Sequence, residues 1–87
     1  MRLIDGVILN EIDGQFVVMD ASDRDQRFSG MIKLNKSGAF VAKLLQKEIS
    51  LEEIIKTMTE HYDITEETAR NNALRVIDGF KSAGLLV

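Results

Sequence analysis

Hydrophobic residues along this chain change their period once. From Val7 to Ile12 they alternate loosely with polar residues, Asp13-Gly14 interrupts, and Gln15-Phe16-Val17-Val18-Met19 resumes the extended pattern. Two such runs joined by Asp-Gly predict a β-hairpin. The stretch from Asp20 to Gly30 is polar apart from Ala21 and Phe28, and Asp23, Arg24, Asp25 and Arg27 nearly cancel in charge. It is too long for a tight turn and reads as a surface loop whose end Phe28 pins to the core. Gly30 to Leu34 predicts a third strand, with Ile32 and Leu34 on one face and Met31 and Lys33 on the other.

Beyond Asn35 the spacing becomes helical. A first helix is expected from about Lys36 to Lys47, with Asn35 capping its free N–H groups and Ala39, Phe40, Val41, Leu44 and Leu45 forming its apolar face. Ser50-Leu51-Glu52-Glu53 fits a capping box opening a second helix, in which Leu51, Ile54, Ile55, Met58 and Tyr62 recur at helical spacing. A third helix begins near Thr65, where Glu66 and Glu67 suit the positive end of the helix dipole. Its inner face is Ala69, Ala73, Val76, Ile77 and Phe80, and Gly84 stops it in a left-handed turn that returns Leu85 and Leu86 to the core.

The expected fold class is therefore α+β. It is a winged-helix-like domain over residues 1–87, a three-stranded antiparallel β-sheet followed by three α-helices (β-β-β-α-α-α), with the last two helices forming a helix-turn-helix-like pair. Ile32, Leu34, Val41, Leu44, Ile54, Ile55, Ile77 and Phe80 are expected to share one core, and truncation of Leu44 is expected to be the sharpest test of how the first helix is oriented.

Composition narrows the function. A chain of 87 residues makes one domain with a thin core, and 45% apolar residues are too many for a disordered chain. No apolar run reaches membrane-spanning length, and Met1-Arg2-Leu3-Ile4-Asp5-Gly6 lacks the apolar stretch of a secretory signal, so a cytoplasmic protein is expected. Without cysteine there is no disulfide, thiolate metal ligand or thiol nucleophile. The net charge of -3 opposes non-specific nucleic-acid binding, which draws on phosphate neutralisation.

Candidate chemistry is sparse. His61, between Glu60 and Asp63, is the only histidine and reads better as a polar residue ending the second helix than as a metal ligand. Ser37, Ser50 and Thr65 stand at helix starts as caps rather than nucleophiles, and the glycines lack a phosphate-cradling spacing. No enzyme activity, cofactor or metal is expected. A DNA-reading helix should present cations on one face, whereas the third helix mixes Arg70, Arg75 and Lys81 with Glu66, Glu67 and Asp78. One region departs from the overall acidity: from Lys33 to Lys47 the only charges are Lys33, Lys36, Lys43 and Lys47. At about 100° per residue, Lys36, Phe40, Lys43 and Lys47 lie along one stripe of the first helix. Taken alone, the stripe fits a solubilising face, with Phe40 completing the core.

The segments Phe28-Ser29-Gly30-Met31-Ile32-Lys33-Leu34-Asn35, Gly38-Ala39-Phe40-Val41 with Leu44-Leu45, Ser50 with Glu52-Glu53-Ile54, His61-Tyr62-Asp63-Ile64, and Phe80, Gly84 and Leu85 add a different kind of information. In this order and spacing the chain, from Val7 onward, resembles the PqqD-like family. A Trp that many relatives carry in the first helix is missing here. The resemblance implies a RiPP recognition element, a domain that binds the leader segment of a ribosomally made precursor peptide and presents it to a separate modifying enzyme. The leader adds as a strand beside the third β-strand and drops side chains against the first helix. Carried onto this chain, the peptide-binding residues are Gly30, Met31, Ile32, Lys33 and Leu34 on the strand, with Lys36, Phe40, Lys43 and Lys47 as the groove wall facing an acidic leader.

The implied partners are the precursor peptide and a maturation enzyme, commonly in this family a radical S-adenosylmethionine enzyme. No nucleic acid or membrane is expected, and the chain is expected to be a monomer or weak homodimer. The alternatives are a winged-helix-like DNA-binding or regulatory module, and a scaffold that holds an enzyme without touching peptide. If the third strand is an edge, one of the Met31 and Lys33 N–H groups is expected to face outward and the other inward.

Overall fold

A computed structural model describes residues 1–20 and 31–87, so the readings of Phe28 and Gly30 fall outside the described residues. Strands β1 (Val7–Ile12), β2 (Gln15–Asp20) and β3 (Met31–Leu34) precede helices α1 (Lys36–Leu44), α2 (Leu51–His61) and α3 (Glu66–Ser82). The strands form one antiparallel sheet in the order β1-β2-β3. The expected element order and fold class are those observed.

Asp13 and Gly14 both have positive φ, 52° and 79°, which is the type I′ turn that matches the twist of a two-residue hairpin. This turn sets Ile12 opposite Gln15, and the register then follows as Asn10 opposite Val17 and Leu9 opposite Val18. On β3, Leu34 pairs with Phe16, Lys33 with Val17 and Ile32 with Val18. Side chains alternate between the two faces, so Val18, with Val7, Leu9, Ile32 and Leu34 around it, packs on the helices. Ile8, Asn10, Ile12, Val17 and Lys33 take the opposite face.

The first turn of α1 closes on the end of β3. Asn35 Oδ1 accepts the Gly38 N–H at 2.8 Å and the Ser37 hydroxyl at 3.0 Å. A Cβ at Gly38 would stand 3.2 Å from that Oδ1 and 3.3 Å from Leu34 Cδ2, so the missing side chain is what lets strand and helix meet this closely. Replacing Asn35 with Ala should cost about 1 kcal/mol in urea denaturation. Asn35→Asp, which keeps the acceptor, should retain most of the stability.

Helix α1 stops at Leu44 rather than Lys47. The cause is tertiary. The Leu45 carbonyl accepts the Leu3 N–H at 2.7 Å, and the Gln46 and Lys47 N–H groups turn back to the carbonyls of Lys43 and Leu44. Leu3 in turn bridges Leu86, and the Ile4 N–H reaches the Leu85 carbonyl at 2.9 Å. In α2 both halves of the capping box form, Glu53 N–H to Ser50 Oγ at 3.1 Å and Ser50 N–H to Glu53 Oε1 at 3.2 Å. Tyr62 is not a helical residue but the extended cap that ends α2. Helix α3 starts at its Thr65 cap and ends in a Schellman turn: Gly84 has φ 74°, its N–H reaches the Lys81 carbonyl, and the Leu85 N–H reaches that of Phe80.

The core contains Val41, Ile54, Ile55, Ile77 and Phe80 as expected, together with Leu3, Val18, Ala42, Leu45, Met58, Ala69, Ala73 and Leu85. Ile32, Leu34 and Leu44 are half-buried at its margin. Leu45 replaces Leu44 as the deep residue of α1, because the backbone that follows α1 turns inward to pair with Leu3. Among the described residues no helix is long and apolar enough to cross a membrane.

Candidate functional site

The direction in which each backbone group of β3 points follows from the hairpin turn. In a type I′ turn the Ile12 carbonyl accepts the Gln15 N–H, so this pair is hydrogen-bonded within the ladder. Antiparallel pairs alternate between bonded and non-bonded. Gln15, Val17 and Met19 therefore bond to β1, while Phe16 and Val18 bond to β3. Their partners Leu34 and Ile32 spend their N–H and C=O groups on β2. Met31 and Lys33 point theirs outward. The expectation that these two differ was wrong, because residues two apart on a strand always share a direction; the contrast is between Lys33 and Ile32.

An independent contact supports this parity. The same alternation turns the Glu11 N–H away from β2, and that N–H is bonded to Asn10 Oδ1 at 3.0 Å. The contact also distinguishes the two sheet edges. A polar side chain already occupies an outward amide at the tip of β1, which blunts that edge. Among the described residues, no acceptor stands at the outward amides of Met31 and Lys33.

The face behind β3 is apolar and half-covered. Ile32 and Leu34 are each only partly buried, and the Gly38 turn lies against Leu34. Lys36 opens α1 immediately beyond and is exposed. Of the sequence-derived site residues, Met31, Ile32, Lys33, Leu34 and Lys36 are thus contiguous, and Gly30 lies outside the described residues.

The remaining three do not share one wall. Lys43 places its ammonium 5.7 Å from the centroid of the Phe16 ring, toward the centre of the sheet. Together with Gln46, Leu9, Asn10 and Glu11 they line an open cleft of about 330 Å³ at the β1 side. Phe40 is half-buried at the margin of the core, with its ring 4.9 Å from His61 and 5.2 Å from Tyr62 at the end of α2. Lys47 is exposed beyond the end of α1. Lys36, Lys43 and Lys47 are all exposed, but Lys47 lies past the end of α1 and the members of the stripe have different neighbours.

Sequence reasoning did not find Asn10, Phe16, His61 or Tyr62 as neighbours of the candidate residues. The signal for Asn10 was present, since the Asp13-Gly14 turn fixes the register that puts it beside Val17, whereas the pairing of Phe16 with Leu34 belongs to the β2–β3 register, which that turn does not set. His61 is exposed and part of the aromatic cluster. Among the described residues no group of three or more His, Cys, Asp or Glu is placed to hold a metal ion.

The cations of α3 are partly consumed. Arg70 donates to Glu52 at 3.1 Å and 3.3 Å and to Glu66 at 3.4 Å. The hydrogen bond and charge of Glu52, then those of Glu66, raise its pKa above the ordinary guanidinium value. A helix whose first arginine is paired with two carboxylates presents a reduced field to phosphate.

Three comparisons bear on this geometry. The family model described as coenzyme PQQ synthesis protein D (PqqD) matches residues 5–86. No curated protein matches the chain. Among solved structures, one described as TbiB1 in complex with the TbiA(beta) leader peptide is 20% identical, with a TM-score of 0.76 over 99% of this chain and 94% of that one. Another, described as lasso peptide synthetase B1 complexed with the leader peptide, is 18% identical, with a TM-score of 0.73 over 97% of this chain and 93% of that one. At these identities the likeness concerns the fold.

Proposed function

Because the chain belongs to the PqqD family, we propose that it binds the leader segment of a ribosomally made precursor peptide along β3 and presents the precursor to a separate modifying enzyme. The observation that carries this reading is the outward row of Met31 and Lys33 backbone groups, beside a half-buried apolar face and the basic start of α1. A peptide added there gains main-chain hydrogen bonds from the edge and side-chain selectivity from the face behind it. The two solved neighbours are complexes with leader peptides, which supports leader binding as the role.

The role proposed is binding rather than catalysis, in keeping with Ser50 and Thr65 serving as helix caps and His61 packing on Phe40. A separate maturation enzyme is the partner expected for a member of this family, and a radical S-adenosylmethionine enzyme is the class proposed. A cytoplasmic location suits a domain that binds a ribosomally made precursor. The DNA-binding alternative is disfavoured by the Arg70 pairing.

Lys36 and Lys43 provide the test of the electrostatic half. They are exposed, so their attraction for an acidic leader is screened over a Debye length of about 8–10 Å and acts chiefly on the encounter. The Lys36→Glu, Lys43→Glu double variant should associate with its leader roughly tenfold more slowly, with the melting temperature shifted by only a few degrees. Stopped-flow association at low and high salt reads this directly. A double variant that associates as fast as the wild type would remove the lysines from the proposal.

A further inference from the structure

The outer sheet face adds a specificity that the edge amides alone do not have. Across the strands, Asn10, Val17 and Lys33 form one row on this face, in that order toward the open edge. Val17 is 3% exposed, Asn10 is neutral, and the other described strand positions on the face, Ile8, Ile12, Gln15 and Met19, carry no charge. Lys33 is therefore the one charge among the described strand positions of an otherwise uncharged face, and it is the last residue before the edge. Whatever is added beside β3 supplies the fourth residue of that row.

We infer that Lys33 selects a leader with the pattern apolar–acidic–apolar, the acidic residue lying beside Lys33 on the outer face. This rests on the strand-addition reading proposed above and specifies its ligand. Side chains of an added strand alternate faces in step with those of β3. A peptide residue beside Lys33 points to the outer face, and its two sequence neighbours lie beside Ile32 and Leu34 on the inner face. Those two inner positions meet half-buried apolar side chains, where a polar group would lose hydration without gaining a partner. The outer position meets an ammonium across the strands, where an opposite charge is favourable and a like charge unfavourable. The alternation holds whether the peptide runs parallel or antiparallel, so the pattern does not depend on its direction. The parity that turns the Lys33 N–H outward also makes its side chain, rather than that of Leu34, the polar reader.

The test is selection of a random dodecapeptide display library on the full chain, in parallel with its Lys33→Glu variant. Bound clones are checked by hydrogen exchange at the amides of Met31 and Lys33. The wild type should enrich Asp or Glu flanked on both sides by apolar residues. Lys33→Glu should keep the apolar pair and replace the central acid with Lys or Arg. For one selected peptide, Glu→Lys at the centre should weaken wild-type binding roughly five- to tenfold and strengthen binding to Lys33→Glu. Peptides that protect the two amides but show the same central residue on both proteins would overturn the role of Lys33 and leave strand addition standing. If no selected peptide protects those amides, the strand-addition reading itself fails. Because Lys33 is exposed, the variant should melt close to the wild type, so its selection reports on specificity rather than on folding.

Discussion

Leu45→Ala should lower the unfolding free energy by about 2–5 kcal/mol, the usual cost of truncating a fully buried leucine. For a domain of this size that corresponds to a fall in melting temperature of more than about 10 °C. Leu45 is completely inaccessible and belongs to the same cluster as Val41, Ile54, Phe80 and Leu85. Its carbonyl also holds the Leu3 N–H, so collapse of the cavity would pull on the bridge between Leu3 and Leu86. Leu44→Ala, at the margin of the core, should cost less than half as much. The pair of variants, measured by thermal and urea denaturation, separates two rotations of α1 that differ by one residue. Equal losses would mean that α1 does not present Leu45 inward.

This comparison shows where the sequence was legible and where it was not. Every helix start was readable, because Asn35, Ser50 and Thr65 satisfy free N–H groups only three residues away. The hairpin was readable for the same reason, the positive φ of Asp13 and Gly14 being a local demand. The end of α1 was not. Nothing between Leu44 and Lys47 stops a helix locally, and the stop comes from Leu3, more than forty residues away in sequence. Leu3 itself gave no periodic signal, since it acts as a single bridge rather than as part of a strand.

The candidate site divides along the same line. Its strand half follows from two local signals: Asp13-Gly14 sets which β2 residues bond to β1, and the shared apolar face of Val18, Ile32 and Leu34 sets which β3 residues lie opposite the others, so the outward direction of Met31 and Lys33 was implicit in the two together. Its helix half was drawn on an ideal cylinder. The cylinder kept the lysines exposed but did not foresee that Lys43 reaches the Phe16 ring or that Phe40 meets His61 and Tyr62. Those contacts depend on how α1 crosses the sheet and where α2 ends, which no local pattern encodes.

Proline substitution along β3 should give the largest change in binding of any single replacement, with opposite consequences at adjacent residues. At Lys33 the lost N–H points away from β2, so the internal ladder through Ile32 and Leu34 survives. The strand is an edge, and the extended conformation of Ile32 is one that a following proline favours. Lys33→Pro should therefore fold, with a melting temperature within several degrees of the wild type. For an incoming strand the same change removes a donor and places the ring where the peptide backbone must approach. Leader affinity should fall at least roughly a hundredfold, since a main-chain bond and the register it fixes are both lost. At Ile32 the removed N–H is one that bonds to Val18, the inaccessible centre of the sheet, and Ile32→Pro should unfold the domain rather than merely disable it. Circular dichroism and calorimetric titration with the leader separate the two outcomes. A folded Lys33→Pro that binds leader as tightly as the wild type would show that the peptide does not add to β3. A folded Ile32→Pro would show that the bonding parity derived from the hairpin turn is reversed.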